Sequence, residues 1–245
     1  MTPRTTFPPA ALTFLRGLKR HNDRDWFAAH KEAYERDVKA PMIALVERLA
    51  AELRRFAPDL VASPKASLFR LHRDTRFSPD KSPFKTQVGA LFPHRALPRM
   101  QGAGLYLEIG PAGTMVAGGI YMPQTPELHA IRTHLAANAA RFRSLVESPA
   151  FRRSVGPVSG ESLQRLPRGF PPDHPAAEYL KLKQFLFGRD YLAAFATSPS
   201  FYRQVVSLFE RMAPVVAFLN EPLVARLDRQ DPLAPRGDRG RLRAT

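Results

Sequence analysis

The hydrophobic period changes twice along this chain, and that change limits the folds open to it. Near the N-terminus, apolar residues recur every three or four positions, as on one face of a helix. Leu12, Leu15 and Leu18 lie on one side of a helix expected from about Pro9 to Lys19. Asn22 or Asp23 can cap a second helix, along which Trp26, His30, Tyr34 and Val38 recur every four residues. Pro41 suits the first turn of a third, which carries Met42, Leu45, Val46, Leu49 and Leu53 and stops before Pro58. In the middle the period falls to two. Ser67 to Phe77, Leu105 to Ile109 and Met115 to Tyr121 read as strands, with Gly110-Pro111-Ala112-Gly113 as a hairpin turn between the last two. Gly118-Gly119, inside a strand, reads as a place of close packing or a bulge.

The helical period then returns. Thr125-Pro126 opens a long helix with Leu128, Ile131, Leu135, Phe142 and Leu145 inside, and Arg152 to Asp173 is a Gly- and Pro-containing surface excursion. Helical stretches follow at Ala176 to Phe187 and Ser198 to Leu219, the latter kinked at Pro214. From Pro222 to Thr245 there is little to bury, and disorder is expected. Helices at both ends with strands between them imply an α+β fold, a central antiparallel sheet covered by helices from both ends of the chain. Residues 1–221 show no linker-like shift in composition, so a single domain is expected there, followed by a 222–245 tail.

Composition narrows the chemistry. The 245 residues include no cysteine, which excludes disulfides, thiolate ligands and cysteine nucleophiles. Proline stands in the first residues where an export signal would carry its apolar run, and no segment resembles a membrane span; a cytoplasmic protein with no membrane partner is the expectation. The formal charge of +15 is unevenly spread. The last 24 residues hold six Arg against three Asp, whereas Lys65 to Arg99 holds eight Lys or Arg against two Asp. A focused positive field of that kind attracts anions better than a diffuse one.

Its centre is Arg70 to Thr86, RLHRDTRFSPDKSPFKT, which packs five cations, two carboxylates and two prolines into seventeen residues. If Leu68 to Phe77 is a strand, alternation puts Arg70, His72, Asp74 and Arg76 on one face and Arg73 on the other. Such a row can hold an anion between guanidinium forks. The same row also fits cross-strand salt bridges on a solvated face. Pro79 and Pro83 lack the donor N–H that a central ladder needs, so Ser78 to Pro83 should form a rigid loop projecting Lys81 and Lys85. These residues make an anionic small molecule, bearing phosphate or carboxylate, the expected partner. Arg70, Arg73, Arg76, Lys81 and Lys85 would line its pocket, Asp74 and Asp80 would orient them, and those two carboxylates are the local acid–base candidates for catalysis. A nucleic-acid module using the basic stripe and an interaction domain for an acidic protein are the alternatives.

Other signals are weaker. His129 and His134 are five apart and do not share a helix face as a metal pair would. Without a Walker loop or Rossmann fingerprint, no cofactor and no metal is expected. Ser78-x-x-Lys81 and Ser82-x-x-Lys85 match a serine–lysine acylation motif only formally. Trp26 reads as a core anchor that could wall a pocket, and Lys181 with Lys183 as a surface pair or a second contribution to the anion site.

The run RLHRDTRFSPDKSPFK resembles the signature of an uncharacterised family, found widely in bacteria and catalogued as domain of unknown function 2461. Asn22 to Phe27 (NDRDWF), Gly118 to Pro123 (GGIYMP), and Lys181-Leu182-Lys183 after His174-Pro175 resemble it too, so that the likeness covers about residues 7 to 221. It implies that Arg70, Arg73, Asp74, Arg76, Asp80, Lys81 and Lys85 occupy the family's charged positions. It implies no particular activity. His72 stands where an aromatic or amide residue is common and Phe84 where tyrosine is, so a role for that tyrosine hydroxyl is not carried over here.

Overall fold

A computed structural model of the protein describes residues 6–76 and 78–230. Helix α1 (Pro9–Arg20) begins at a proline, whose missing N–H costs nothing in a first turn, and buries Ala11, Leu12, Phe14, Leu15 and Leu18. Asp23 caps α2 (Arg24–Ala29) by accepting the Trp26 N–H at 2.8 Å. The expected second helix does not run on unbroken. The chain turns at His30 (φ −114°, ψ 15°), resumes as α3 (Lys31–Ala33), and widens into a π-helical turn over Tyr34–Lys39 before α4 (Ala40–Phe56). The cause is Pro41, which cannot bond the carbonyl four residues back; the wider register, with Ala40 N–H on the Glu35 carbonyl, absorbs the defect. All five apolar residues expected on the inner face of α4 are buried.

Where a strand is expected from Ser67 to Phe77, the structure differs. Ser63 caps a short helix, α5 (Pro64–Ser67), and the following residues are extended without forming a ladder. Their backbone pairs with 83–90 at isolated bridges, Leu68↔Ala90 and His72↔Phe84. The reason is Pro83, which accepts from Arg73 N–H at 2.9 Å but has no N–H to return. Phe77 lies outside the described residues. The regular sheet starts later, at β1 (Val88–Phe92), whose burial shows no period of two.

Strands β2 (Gly104–Ile109) and β3 (Thr114–Ile120) form the expected hairpin, closed by Gly110 N–H on the Gly113 carbonyl at 2.9 Å. The fourth strand, β4 (Phe185–Tyr191), falls where a helix to Phe187 is expected; only α9 (Ala177–Leu180) is helical there. Phe185 and Phe187 alternate into the core with Leu186 between them, a period of two that the neighbouring Leu and Lys residues mask. The sheet order is β1-β2-β3-β4, every pairing antiparallel. In β3, Gly119 takes φ +126°, and a Cβ there would lie 1.9 Å from the Phe185 carbonyl oxygen, so strand β4 approaches β3 where no side chain fits.

Between β3 and β4 come α6 (Thr125–Ala137), α7 (Ala139–Val146) and α8 (Pro149–Ser154), the expected long helix being broken at Asn138. The last element among the described residues is α10 (Phe201–Gln230), which continues through Pro214 and Pro222. This corrects the expected end at Leu219 and the expected disorder from Pro222, because Leu223 is buried and Arg226 reaches Glu127 at 3.7 Å. The rest of that tail, 231–245, lies outside the described residues. Helix α10 packs on one face of the sheet, its Phe209 edge-on to Phe92 at 5.4 Å and its Phe218 against Phe142 of α7 at 5.2 Å. The fold is α+β, with helices from both ends of the chain. Among the described residues no helix is long and apolar enough to cross a membrane.

A buried amide fixes α10 to the sheet. Asn220 donates from Nδ2 to the Ala103 carbonyl at 2.9 Å and accepts the Ala103 N–H at 2.8 Å, both in the interior. Asn220→Ala strands two buried backbone groups, each worth about 1–3 kcal/mol. The expected result is a melting temperature lower by roughly 5–15 °C in a chain of this size, measured by circular dichroism, with the unliganded fold otherwise retained.

Candidate functional site

The charged motif is held from two sides. Asn22, in the turn after α1, clasps the backbone of Phe84: its Nδ2 donates to the Phe84 carbonyl at 2.9 Å and its Oδ1 accepts the Phe84 N–H at 3.0 Å. Beside this clasp the Phe27 and Phe84 rings stack at 4.4 Å, and His72 meets the Phe84 ring edge-on at 5.0 Å. The two sequence landmarks, NDRDWF and SPFK, are therefore one packed unit. On the other side Arg99 donates to the carbonyls of Ser67 at 2.8 Å and Leu68 at 3.1 Å, and lies over the Phe69 ring.

Within the loop, polar side chains replace the missing ladder. Asp80 accepts the Ser82 N–H at 2.9 Å and pairs with Arg73, which also donates to Ser78 Oγ at 3.4 Å. Lys81 Nζ reaches across to the Thr75 carbonyl at 3.0 Å. Asp74 takes Arg76 in a two-point pair at 3.0 and 2.7 Å and accepts the Arg76 N–H as well, in full solvent. The Ser82 hydroxyl and N–H, together with the Arg73 guanidinium, hold the Asp80 carboxyl far below the ordinary carboxylate range. Arg76 does the same, more weakly, for Asp74.

Beneath the loop is a cleft of about 560 Å³. Its floor is the face of the sheet turned away from α10, where register places Gly89 opposite Glu108, with Tyr106 two residues before Glu108 on the same side of β2. Phe69 and Phe84 form walls, and Lys19, Arg73 and Lys85 bring positive charge to it. Tyr106 Oη donates to Glu108 Oε2 at 2.5 Å. Burial, then the bond to Glu108 and its charge, push the Tyr106 hydroxyl well above its usual pKa, so it stays a neutral donor. Gly89 leaves room for that hydroxyl, since a Cβ there would stand 3.0 Å from it.

Of the residues singled out in the sequence, Arg73, Lys85 and Asp80 come together in this cleft. Arg70 is exposed and outside its lining, and Arg76, Asp74 and Lys81 are engaged within the loop. Lys181 pairs with Glu178 at 2.8 Å and Lys183 with Glu161 at 3.3 Å, just before β4, at the far edge of the sheet from β1. Trp26 stacks on His30 at 4.0 Å and packs against Phe14 at 5.5 Å, which makes it an anchor of α2 on α1 and no part of the cleft. The acid–base role considered for Asp74 and Asp80 finds no support in this geometry: both are held ionised by cations and backbone N–H groups. Lys19, Tyr106 and Glu108 are not marked as site residues by the sequence, and Asn22 stands out there only as a helix cap and as the start of NDRDWF. The pair in β2 did leave a signal, two polar side chains alternating with the apolar Leu105, Leu107 and Ile109. Among the described residues no group of three or more His, Asp or Glu is placed to hold a metal ion.

The profile of a family described as conserved hypothetical protein (DUF2461) matches residues 10–218. The chain belongs to this family. No curated protein and no solved structure matches it. The DUF2461 match spans α1 to most of α10, so the clasped motif, the cleft and the sheet all fall inside it.

The Asp80 linkage can be checked by titration. A carboxyl whose folded pKa lies below its unfolded value of about 3.9 contributes stability that is present above that value and is lost as pH falls through the folded pKa. The NMR chemical shift of the Asp80 carboxyl carbon should therefore stay at its ionised value well below pH 3.9, and Arg73→Ala should bring the midpoint back toward the ordinary range.

Proposed function

We propose that this DUF2461 protein binds a small molecule bearing a phosphate or carboxylate in the cleft under the charged loop, and that it works in the cytoplasm. The observation that carries this reading is the state of two ammonium groups. Lys19 and Lys85 both line the cleft, and neither has an ion-pair partner among the described residues; Lys85 only rests over the Phe69 ring, at 5.0 Å. Arg73, fixed by Asp80 and Ser78, adds a guanidinium whose position is set in advance. Concave walls of low dielectric strengthen such a field. By contrast Arg76, Lys81, Lys181 and Lys183, which a nucleic-acid stripe would need, are spread over the loop and the far edge of the sheet and are bound to their own neighbours.

A ligand that binds only the folded state stabilises the protein by mass action, by about 2.7 kcal/mol at a hundredfold excess over Kd. For a chain of this length that is roughly 5–10 °C in melting temperature. A thermal-shift series with inorganic phosphate, pyrophosphate, citrate and sugar phosphates should give a shift of that size for at least one of them. Lys19→Ala and Lys85→Ala should each reduce it severalfold while leaving the unliganded melting temperature nearly unchanged. Electrophoretic shift with DNA and RNA of increasing length supplies the other arm: tight, length-dependent, salt-sensitive binding without any small-anion response would replace the pocket with backbone tracking.

A further inference from the structure

Glu108 has no place in a simple anion site, and it is the one carboxylate on the cleft floor. It is half-buried, and no Lys, Arg or His lies within ion-pair range of it among the described residues. Its Oε2 is occupied by the Tyr106 hydroxyl, while Oε1 accepts no hydrogen bond from those residues. A carboxylate drawn partly out of solvent and left without a cation keeps its charge uncompensated. Here it sits in the same cleft as two unpaired ammonium groups, yet not in contact with them. A single cleft that keeps its opposite charges apart is complementary to a ligand that does the same.

Resting on the reading of the cleft as an anion site, we propose that its ligand is a phosphate monoester carrying an amino group. Lys19, Arg73 and Lys85 take the phosphate, and Glu108, oriented by Tyr106, takes the ammonium. The charges agree with this class: three cations facing Asp80 and Glu108 leave the cleft one net positive charge, and an aminoalkyl phosphate dianion carries one net negative charge. A hydroxyl in place of the ammonium would satisfy a lone pair of Glu108 and leave its charge uncompensated.

Calorimetric titration with O-phosphoethanolamine, ethyl phosphate, glucose 6-phosphate and inorganic phosphate tests this on the full chain. The wild type should bind phosphoethanolamine about tenfold more tightly than ethyl phosphate, the worth of one charge-assisted hydrogen bond. Glu108→Gln should erase that preference and keep the affinity for ethyl phosphate, and Tyr106→Phe, which frees the carboxylate Tyr106 orients, should reduce the preference. Equal wild-type affinities for phosphoethanolamine and ethyl phosphate would overturn the amino-group assignment and leave the anion site standing, without reliance on any variant. A preference that survives Glu108→Gln would overturn the role of Glu108, and a Glu108-dependent preference for glucose 6-phosphate would replace the ammonium by hydroxyls. Failure of every phosphate to bind would count against the anion site itself.

Discussion

The Asn22 clasp on Phe84 is the contact on which the charged motif depends. A segment with proline at two positions cannot be held by a continuous ladder, and each of its backbone groups needs a partner from elsewhere. Asn22 satisfies the donor and acceptor of Phe84 together, at 3.0 and 2.9 Å, from a turn 62 residues away in sequence. That single amide brings the end of α1 beside the loop, and so carries Lys19 to the cleft. The Phe27 and Phe84 rings stack beside the junction. Asn220 repeats the device at Ala103, where it locks the last helix to the start of β2. Helices α1 and α10 are thus each fastened by a carboxamide reading a peptide group on both sides.

Pairing within the loop has a cost in freedom and a gain in order. Arg73 is tied to Asp80, so in the proposed anion site its guanidinium would need no further immobilising, whereas Arg76, tied to Asp74, stays outside the cleft. The exposed pair contributes little to stability in solvent. Its effect is on shape, because Asp74 also accepts the Arg76 N–H and so sets the first turn of the loop.

The sequence reveals the helices well and the sheet only in part. Helices α1 and α4 show their buried faces in Leu12, Leu15, Leu18 and in Met42 through Leu53, since a long amphipathic stripe repeats often enough to be read. The β2–β3 hairpin is legible from its Gly-Pro-Ala-Gly turn. Strand β1 is not, because five consecutive residues with four of them buried show no alternation, and β4 is hidden by the Lys-Leu-Lys run before it. The site divides the same way. Arg73 and Lys85 were visible as members of a charge cluster, but charge density could not say that Arg76 and Lys81 would turn to partners inside the loop. Lys19 and Glu108 come from elements far apart in the chain, and only the tertiary arrangement unites them with the motif.

Strand β2 gives the fold and the cleft a common origin. Leu105, Leu107 and Ile109 face the helices, while Tyr106 and Glu108 face the cleft, alternating one by one along six residues. A shift of one residue against β1 or β3 would send the carboxylate into the apolar interior and a leucine into the cleft at the same stroke. The penalty for burying that charge therefore guards the register, and a chain that has folded at all has already placed Tyr106 and Glu108 on the open side. In this strand the assembly of the site needs no separate safeguard, because misplacing it and misfolding are the same event.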